Sequence, residues 1–265
     1  HLLVFILIYP HLWVVSKLPR PLFYLLSDIF FIKLFYFFGY RKKVVMENLI
    51  LCFPNKDLKE LQLIRRQFYS HLCDLFMEMV KTMNLSKAGV KERYQVQNID
   101  YLKEVLKTKS VLLVCSHYAN WEWSAPGLTL QIPVKTILVY KPLSNKSAEM
   151  VINGIRAQYG ALMVPMKQAI RTIIEHQGET TITFMVSDQT PSARDNMHFV
   201  DFLNQPTAVF KGLEKIAKLT KSPIVYMHVE RVKRGYYKAE FSILEANPLA
   251  TAEDEITEKY NKKLE

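Results

Sequence analysis

A histidine and a glutamate stand five residues apart in the segment Ser116-His117-Tyr-Ala-Asn120-Trp121-Glu122. An imidazole can take the proton from an acceptor hydroxyl while that hydroxyl attacks a thioester. A carboxylate bonded to the other ring nitrogen fixes the tautomer and stabilises the imidazolium. We therefore predict that His117 is a general base and that Glu122 orients it. This chemistry requires no serine or cysteine nucleophile, because the acceptor alcohol attacks directly.

The spacing alone is weak evidence, and the position of the motif carries more weight. Of seven histidines only His117 has an acid at the fifth following position. With 25 acids in 265 residues, the probability that at least one histidine has such a match by chance is about one half. However, His117 comes just after the apolar run 111–115, which is typical of a strand buried on both faces. Sites in open α/β sheets form where loops leave the carboxyl ends of strands. By contrast, we interpret His71 as a structural histidine.

A second polar loop, Ser187-Asp188-Gln189-Thr190, leaves the β-branched run 180–186. Polar residues at two strand exits predict a site at this edge of the sheet. Cys115 and Ser116 lie beside the histidine, but neither has a G-x-S-x-G elbow around it, which disfavours a nucleophile at either position.

The elements that must position these loops alternate along the chain. Apolar or β-branched runs predict strands at 111–115, 134–140, 161–164, 180–186, 224–230 and 237–244. Helical spacing predicts helices at 57–83, 121–130, 145–159, 168–176 and 208–219. Such alternation predicts an α/β fold with a central, largely parallel or mixed sheet and helices on both faces.

An apolar segment precedes this pattern. Residues 1–15 are almost wholly apolar, and residues 21–40 carry only two charges. Basic residues follow both stretches, as they do where a membrane-embedded or interfacial segment meets anionic headgroups. We therefore predict a membrane-anchoring or interfacial helical segment over 1–43 and a globular domain over 44–265.

Composition narrows the class of protein and of partner. With 49% hydrophobic and 23% charged residues the chain is neither disordered nor collagen-like. Three scattered cysteines predict no disulfide framework, and the histidines and carboxylates show no metal-binding spacing. The net charge of +10 suits an acidic partner. Nucleic acid is disfavoured, because the aromatic residues cluster in the apolar N-terminal segment rather than among lysines and arginines.

Five segments together carry a family resemblance. They are Gly39–Pro54, His117–Glu122, Arg156 with Gly160, Asp188-Gln189 and Phe202–Gly212. On these residues the sequence resembles the lauroyl/myristoyl acyltransferases of bacterial lipid A biosynthesis, within the wider group of H-x-x-x-x-D/E acyltransferases. The resemblance runs from about residue 22 to residue 260.

The resemblance implies a role for each candidate residue. His117 and Glu122 correspond to the catalytic dyad, and Arg156 to an arginine that faces a phosphate or the developing oxyanion. Asn120 and Trp121 shape the turn. The candidate substrate-binding residues are Arg156, Asp188, Gln189, Asn120, Trp121 and Ser116.

The activity that the resemblance implies is O-acylation of a lipid A precursor in lipopolysaccharide biosynthesis, at the cytoplasmic face of the bacterial inner membrane. The acyl donor is the thioester of acyl carrier protein, which is acidic and suits a basic enzyme, or an acyl-CoA. Neither a metal nor a further cofactor is expected. The acceptor is the hydroxyl of a 3-hydroxyacyl chain already attached to the precursor.

Two alternatives remain open. The first is that the same architecture serves other lipid acceptors such as aminolipids, glycolipids or lysophospholipids. Against glycerol phosphate or a lysophospholipid as the acceptor, no E-G-T-R phosphate loop follows residue 186. The second alternative is a protein without catalytic activity that binds lipids at the membrane surface. The sequence also departs from the family pattern at Phe202–Pro206 and at Val209-Phe210. The chain has no initiator methionine and no Trp-rich tail, so we expect it to be truncated.

Overall fold

A seven-stranded sheet forms the centre of the molecule, in a computed structural model that describes residues 2–191 and 197–265, with side chains from residue 8 onward. In spatial order its strands are β1 (Tyr94–Val96), β9 (Tyr236–Glu245), β8 (Ile224–Lys233), β2 (Val111–Cys115), β5 (Thr181–Val186), β3 (Lys135–Tyr140) and β4 (Leu162–Pro165). All neighbouring strands are parallel except β8 and β9, which are antiparallel. The predicted α/β fold with a largely parallel sheet is confirmed.

Eleven helices are assigned in the described part of the chain. They are α1 (Leu2–Lys17), α2 (Arg20–Ile32), α3 (Lys42–Cys52), α4 (Leu58–Thr82), α5 (Lys87–Arg93), α6 (Ile99–Leu106), α7 (Ser124–Gln131), α8 (Lys146–Ala157), α9 (Ala169–Glu175), α10 (Gly212–Thr220) and α11 (Glu255–Leu264). A π-helical turn, Lys33–Phe38, continues α2 and ends at Gly39 in the left-handed conformation, which glycine adopts at little cost.

Strand β2 shows how helices cover both faces of the sheet. All five of its residues are buried. Because side chains alternate along a strand, Leu113 belongs to a core cluster with Leu102 of α6 and Leu128 of α7. On the opposite face Val114 packs in a second cluster with residues of α9, α10 and α11. The sequence pattern that predicted a strand buried on both sides therefore has a direct cause.

Helix α4 is the longest helix and carries an unusual polar face. It begins at a capping box in which the side chain of Asp57 accepts from the backbone of Glu60 and the Glu60 carboxylate accepts from the backbone of Asp57. The predicted start of this helix is thereby confirmed. Asp74 and Glu78, farther along, are 0% and 1% exposed. Charged residues are rarely so deeply buried without partners, and both have several.

The predicted helix over 208–219 is wrong in its first part. Residues Gln205–Phe210 form strand β7, which pairs antiparallel with β6 (Met197–Phe202). The turn between them places Leu203 and Asn204 at φ 48° and 62°, as a two-residue hairpin requires. Helix α10 begins only at Gly212, where an added Cβ would lie 1.8 Å from the Phe210 ring.

The N-terminal helices pack on the rest of the protein mainly through α4. In addition, α1 contacts α8, and α2 contacts Arg234 of the β8–β9 turn. Within the described residues one helical stretch, Arg20–Phe38, is long and apolar enough to cross a bilayer, which is weak evidence by itself. The division of the chain at residue 43 stays a prediction.

Candidate active site

The two polar loops meet at one edge of the sheet. Strands β2 and β5 are neighbours in a register that sets Cys115 beside Val186, so the residues that follow them leave the sheet together. A cavity of about 550 Å³ opens there, bounded by the β6–β7 hairpin and by α11. Its lining includes Ser116, His117, Asp188, Gln189, Phe202, Val209, Phe210, Tyr226, Asn261 and Leu264.

His117 and Asp188 form the central pair of this cavity. The Nδ1 atom of His117 lies 2.6 Å from Oδ1 of Asp188, and the backbone N–H of His117 donates to Oδ2 of the same carboxylate at 2.8 Å. Because the carboxylate accepts at both contacts, the ring proton belongs on Nδ1 and leaves Nε2 with its lone pair. The side chains are 30% and 21% exposed, so the pair is open to a substrate.

The free ring nitrogen faces Gln189. The Nε2 atom of the Gln189 amide lies 3.3 Å from Nε2 of His117 and donates toward its lone pair. The Trp121 ring packs edge-on against the imidazole, with 4.9 Å between ring centroids. These contacts hold the imidazole from two sides.

Glu122 does not make the contact that its spacing from His117 predicts. Its carboxylate accepts from Nε and Nη2 of Arg156 at 2.8 and 2.6 Å, a bidentate ion pair with side chains 10% and 23% exposed. The described structure records no hydrogen bond between Glu122 and His117. Asp188, rather than Glu122, contacts Nδ1 of His117 because β5 lies beside β2. Glu122 lies on the 3₁₀ turn Trp121–Trp123, where it faces Arg156 of helix α8.

Asn120 holds the loop from inside rather than facing a substrate. It is 0% exposed. Its Oδ1 accepts from the backbone of Trp123, and its Nδ2 donates to Glu78 at 2.7 Å. Glu78 also accepts from the hydroxyls of Tyr24 and Tyr237, and burial raises the pKa of its carboxyl group. Asn120 thus anchors the loop to helix α4, and its candidate substrate-binding role stays a prediction.

The neighbouring Cys115 is too deeply buried to act as a nucleophile. Cys115 is 1% exposed, and burial, followed by the nearby Asp188 and Glu122 charges, raises the pKa of its thiol well above the usual value. A buried thiol of this kind stays protonated and inert. Ser116 and Tyr226 both lie at the cavity wall.

Comparison with known proteins identifies the family. A family model described as bacterial lipid A biosynthesis acyltransferase matches residues 2–265. The chain belongs to this family. It is also 21% identical over 198 residues to the lipid A biosynthesis acyltransferase of Haemophilus influenzae, an alignment that covers 73% of this chain and 61% of that relative. The family resemblance seen in the sequence is thus confirmed, and the enzyme class of the family is acyltransferase.

The candidate residues divide into two groups around the loops. Ser116, His117, Asp188 and Gln189 line the cavity. Trp121, Glu122 and Arg156, together with the buried Asn120, are not among the residues that line it. Within the described residues no group of three His, Cys, Asp or Glu side chains is arranged to hold a metal ion.

Several contributors to the site were not expected from the sequence. The β6–β7 hairpin was missed because Ala208–Leu219 has helical spacing and because its turn, Leu203-Asn204, lacks the Asn-Gly or Asp-Gly pair that marks a two-residue hairpin. His71 and Glu78 were missed because nothing local to helix α4 indicates which loop packs against it.

Proposed function

We propose that this protein is a membrane-associated O-acyltransferase that moves a fatty acyl chain from a thioester to a hydroxyl of a lipid A precursor. His117 acts as the general base, and Asp188 orients it. The observation that carries the proposal is the contact of 2.6 Å between Nδ1 of His117 and Oδ1 of Asp188 at the wall of an open cavity. Membership in the family supports the reaction class.

The reaction transfers one proton from the acceptor hydroxyl to His117 and then from His117 to the leaving thiolate. Nε2 of His117 accepts the proton of the acceptor hydroxyl while that oxygen forms a bond to the thioester carbonyl carbon. The carboxylate of Asp188 stabilises the resulting imidazolium. When the tetrahedral intermediate collapses, the carbon–sulfur bond breaks and the leaving thiolate takes the proton from Nε2. The imidazole is then neutral again, so no cofactor is consumed.

Gln189 gives this proposal a donor for the developing oxyanion. In the free protein its amide donates toward Nε2 of His117. An acceptor hydroxyl that binds Nε2 displaces the amide, which then remains within reach of the carbonyl oxygen under attack. Preorganised donors at that position are a main source of rate acceleration in acyl transfer.

The Glu122–Arg156 ion pair holds the turn that carries Trp121 in place. Glu122 follows Trp121, whose ring packs on the imidazole, and the ion pair fastens this turn to helix α8. The resemblance also implies that Arg156 faces a phosphate or the oxyanion. Arg156 is not among the residues that line the cavity, so this role requires a substrate that reaches beyond it to the donors that Glu122 leaves unused.

The walls of the cavity favour a lipid substrate. Phe202, Val209, Phe210 and Leu264 supply apolar surface beside the polar pair. Apolar walls with a few convergent polar groups are typical of small-ligand sites. For the donor we propose acyl carrier protein, which is acidic and matches a net charge of +10; acyl-CoA is the alternative.

Helix α2 supports association with the inner-membrane surface in a particular orientation. On one side, Tyr24 donates to Glu78, Ser27 donates to Asp74 at 2.8 Å, and Asp28 accepts from Arg234 at 2.6 Å. Placing these groups at mid-bilayer depth would be expensive. We propose that α2 lies in the cytoplasmic leaflet surface and does not cross the membrane.

The opposite side of α2 supplies the lipid contact. Its large apolar side chains are exposed by 40–54%, and two phenylalanines of the π-helical turn by nearly 80%. These are Leu22, Leu25, Ile29, Phe30, Ile32, Phe37 and Phe38. Arg41, Lys42 and Lys43 follow immediately, where anionic headgroups would lie.

The experiment that tests the function is mass spectrometry of the lipids from cells that lack their own late acyltransferase. Supplied with this protein at full length, the cells should contain lipid A heavier by one acyl group, and fragmentation should place that group on a hydroxyl. His117→Ala should abolish the increment at equal protein level. An increment on aminolipids or lysophospholipids would identify a different acceptor, and an unchanged increment with His117→Ala would exclude this base.

A further inference from the structure

One face of helix α4 is turned toward the loop that carries His117. His71, Asp74 and Glu78 follow each other at intervals of three and four residues, which places them on the same side of the helix. Glu78 contacts the side chain of Asn120, and His71 contacts the backbone of Ala119. Two successive loop residues, Ala119 and Asn120, are thus bonded to α4.

The bonds of His71 have a defined direction. Nη1 of Arg231 lies 3.1 Å from Nδ1 of His71, and a guanidinium can only donate. Nδ1 therefore accepts, and the ring proton belongs on Nε2, which lies 3.0 Å from the carbonyl oxygen of Ala119 and donates to it. Burial lowers the pKa of His71, so the neutral ring that this arrangement requires is the favoured form.

Ala119 needs such a partner. It has φ 50°, in the left-handed region that residues other than glycine rarely adopt, and it is 5% exposed. A residue in this region persists only when its surroundings hold it there. Its carbonyl group would also be a buried acceptor without a donor if His71 were removed. The conformation between His117 and Asn120 thus depends on a side chain from a distant helix.

We propose that His71 is a positioning residue that holds the loop in the conformation where Nδ1 of His117 meets Asp188. It acts through the Ala119 carbonyl and touches no reacting atom. Arg231 orients the His71 ring by donating to its Nδ1, and Arg231 is itself held by Asp74, to which its Nη2 donates at 2.9 Å. The proposal rests on the proposed function for its effect on catalysis, but the loop conformation itself is measurable without any activity.

Three variants of the full-length protein test the proposal. His71→Gln keeps an amide donor for Ala119 and an acceptor for Arg231, whereas His71→Phe keeps the ring volume and loses both. His176→Gln is the matched control. His176 precedes strand β5 and so lies at the other end of the strands from His117, and its partners are Thr172 of α9 and Glu179. We expect His71→Phe to lower kcat for acyl transfer by about 10–100-fold, with KM changed less than about threefold and activity mostly restored in His71→Gln. The control should match the unmodified protein.

Hydrogen exchange of the segment 116–123 supplies the second readout. The backbone N–H groups of His117 and Trp123 are bonded to side chains, so the segment should exchange slowly in the unmodified protein. His71→Phe should speed exchange in this segment but not in β2 or β5, and His71→Gln should restore slow exchange. Unchanged exchange would overturn the proposal, as would faster exchange spread through the sheet. If neither the unmodified protein nor any variant transfers acyl groups, but His71→Phe still speeds exchange in this segment, the proposed function fails and the positioning role stands.

Discussion

At the scale of single residues, the site depends on two carboxylates with separate partners. Asp188 is bonded to the imidazole of His117, and Glu122 is bonded to Arg156. The sequence was sufficient to single out His117, because a histidine at a strand exit is an unusual position for a core residue. The sequence was not sufficient to identify Asp188 as the partner of His117. That contact depends on β5 lying beside β2, and the spacing of residues along the chain does not reveal the order of strands in a sheet.

The ion pair of Glu122 and Arg156 should stabilise the fold measurably. Glu122→Gln leaves a mostly buried guanidinium without its counter-charge, so the free energy of unfolding should fall by about 1–3 kcal/mol. Urea denaturation in detergent measures this change. The control is Glu175→Gln, which breaks a pair with Arg171 whose side chains are 51% and 83% exposed, and should cost less than about 0.5 kcal/mol. Equal losses in the two variants would contradict a structural role for the Glu122 pair.

At the scale of elements, helix α4 and the β6–β7 hairpin decide what the loops can do. The period of α4 and its capping residues are readable in the sequence, and the helix was predicted within a residue or so at each end. That its polar face holds the His117 loop was not readable, because both partners of each bond are distant in sequence. The hairpin shows the opposite failure, in which helical spacing over 208–219 masked a strand that ends at Phe210.

The pH dependence of stability should reveal the buried His71. Burial lowers its pKa in the folded protein, so below about pH 6.5 the unfolded chain binds a proton that the folded chain does not. The unfolded state is therefore favoured as the pH falls through this range. Unfolding free energies measured between pH 7.5 and pH 5.5, a range chosen to bracket about pH 6.5, should decline more steeply for the unmodified protein than for His71→Gln. Parallel declines would show that the folded protein protonates His71 freely.

The hairpin junction should tolerate no side chain at Gly212. An added Cβ would lie 1.8 Å from the Phe210 ring and push that ring into the cavity, so Gly212→Ala should lower the free energy of unfolding by about 1–3 kcal/mol. Gly154→Ala is the matched control in the exposed interior of α8, with nothing within 4 Å of the new atom. It should stabilise the protein by about 0.5–1 kcal/mol. Thermal unfolding distinguishes the two, and a stabilising Gly212→Ala would contradict the packing described here.

At the scale of the whole molecule, the proposed function requires the N-terminal helices to join the proposed acyl-transfer site to a lipid surface. Composition predicted the apolar character of 21–40, but the bonds of Tyr24, Ser27 and Asp28 to α4 and to the β8–β9 turn came only from the fold. Because α2 also contacts Glu78, which anchors Asn120, its removal would disturb the site loop. Point variants on its exposed side are therefore a cleaner test of membrane binding than a deletion.

Binding to anionic vesicles should depend on that exposed side. The double variant Leu25→Glu/Ile29→Glu should lower the partition coefficient by about tenfold or more, because it replaces two apolar contacts with charges at the headgroup boundary. Leu219→Glu, on a leucine of α10 that is more exposed than Leu25 or Ile29, is the control and should bind as the unmodified protein does. Sedimentation with phosphatidylglycerol vesicles measures both. Equal binding of the two variants would exclude the α2 surface as the site of membrane contact.

The most direct test of the central claim is the steady-state rate of acyl transfer by Asp188→Asn. An amide in place of this carboxylate no longer favours the tautomer with the proton on Nδ1 and no longer stabilises the imidazolium. We predict that kcat falls by about 10²–10⁴-fold with KM nearly unchanged. Asp100→Asn, at a surface carboxylate of α6 whose side chain is 90% exposed, should retain full activity. A folded Asp188→Asn protein that transfers acyl groups at the normal rate would contradict the assignment of His117 and Asp188 as the proton-transfer pair.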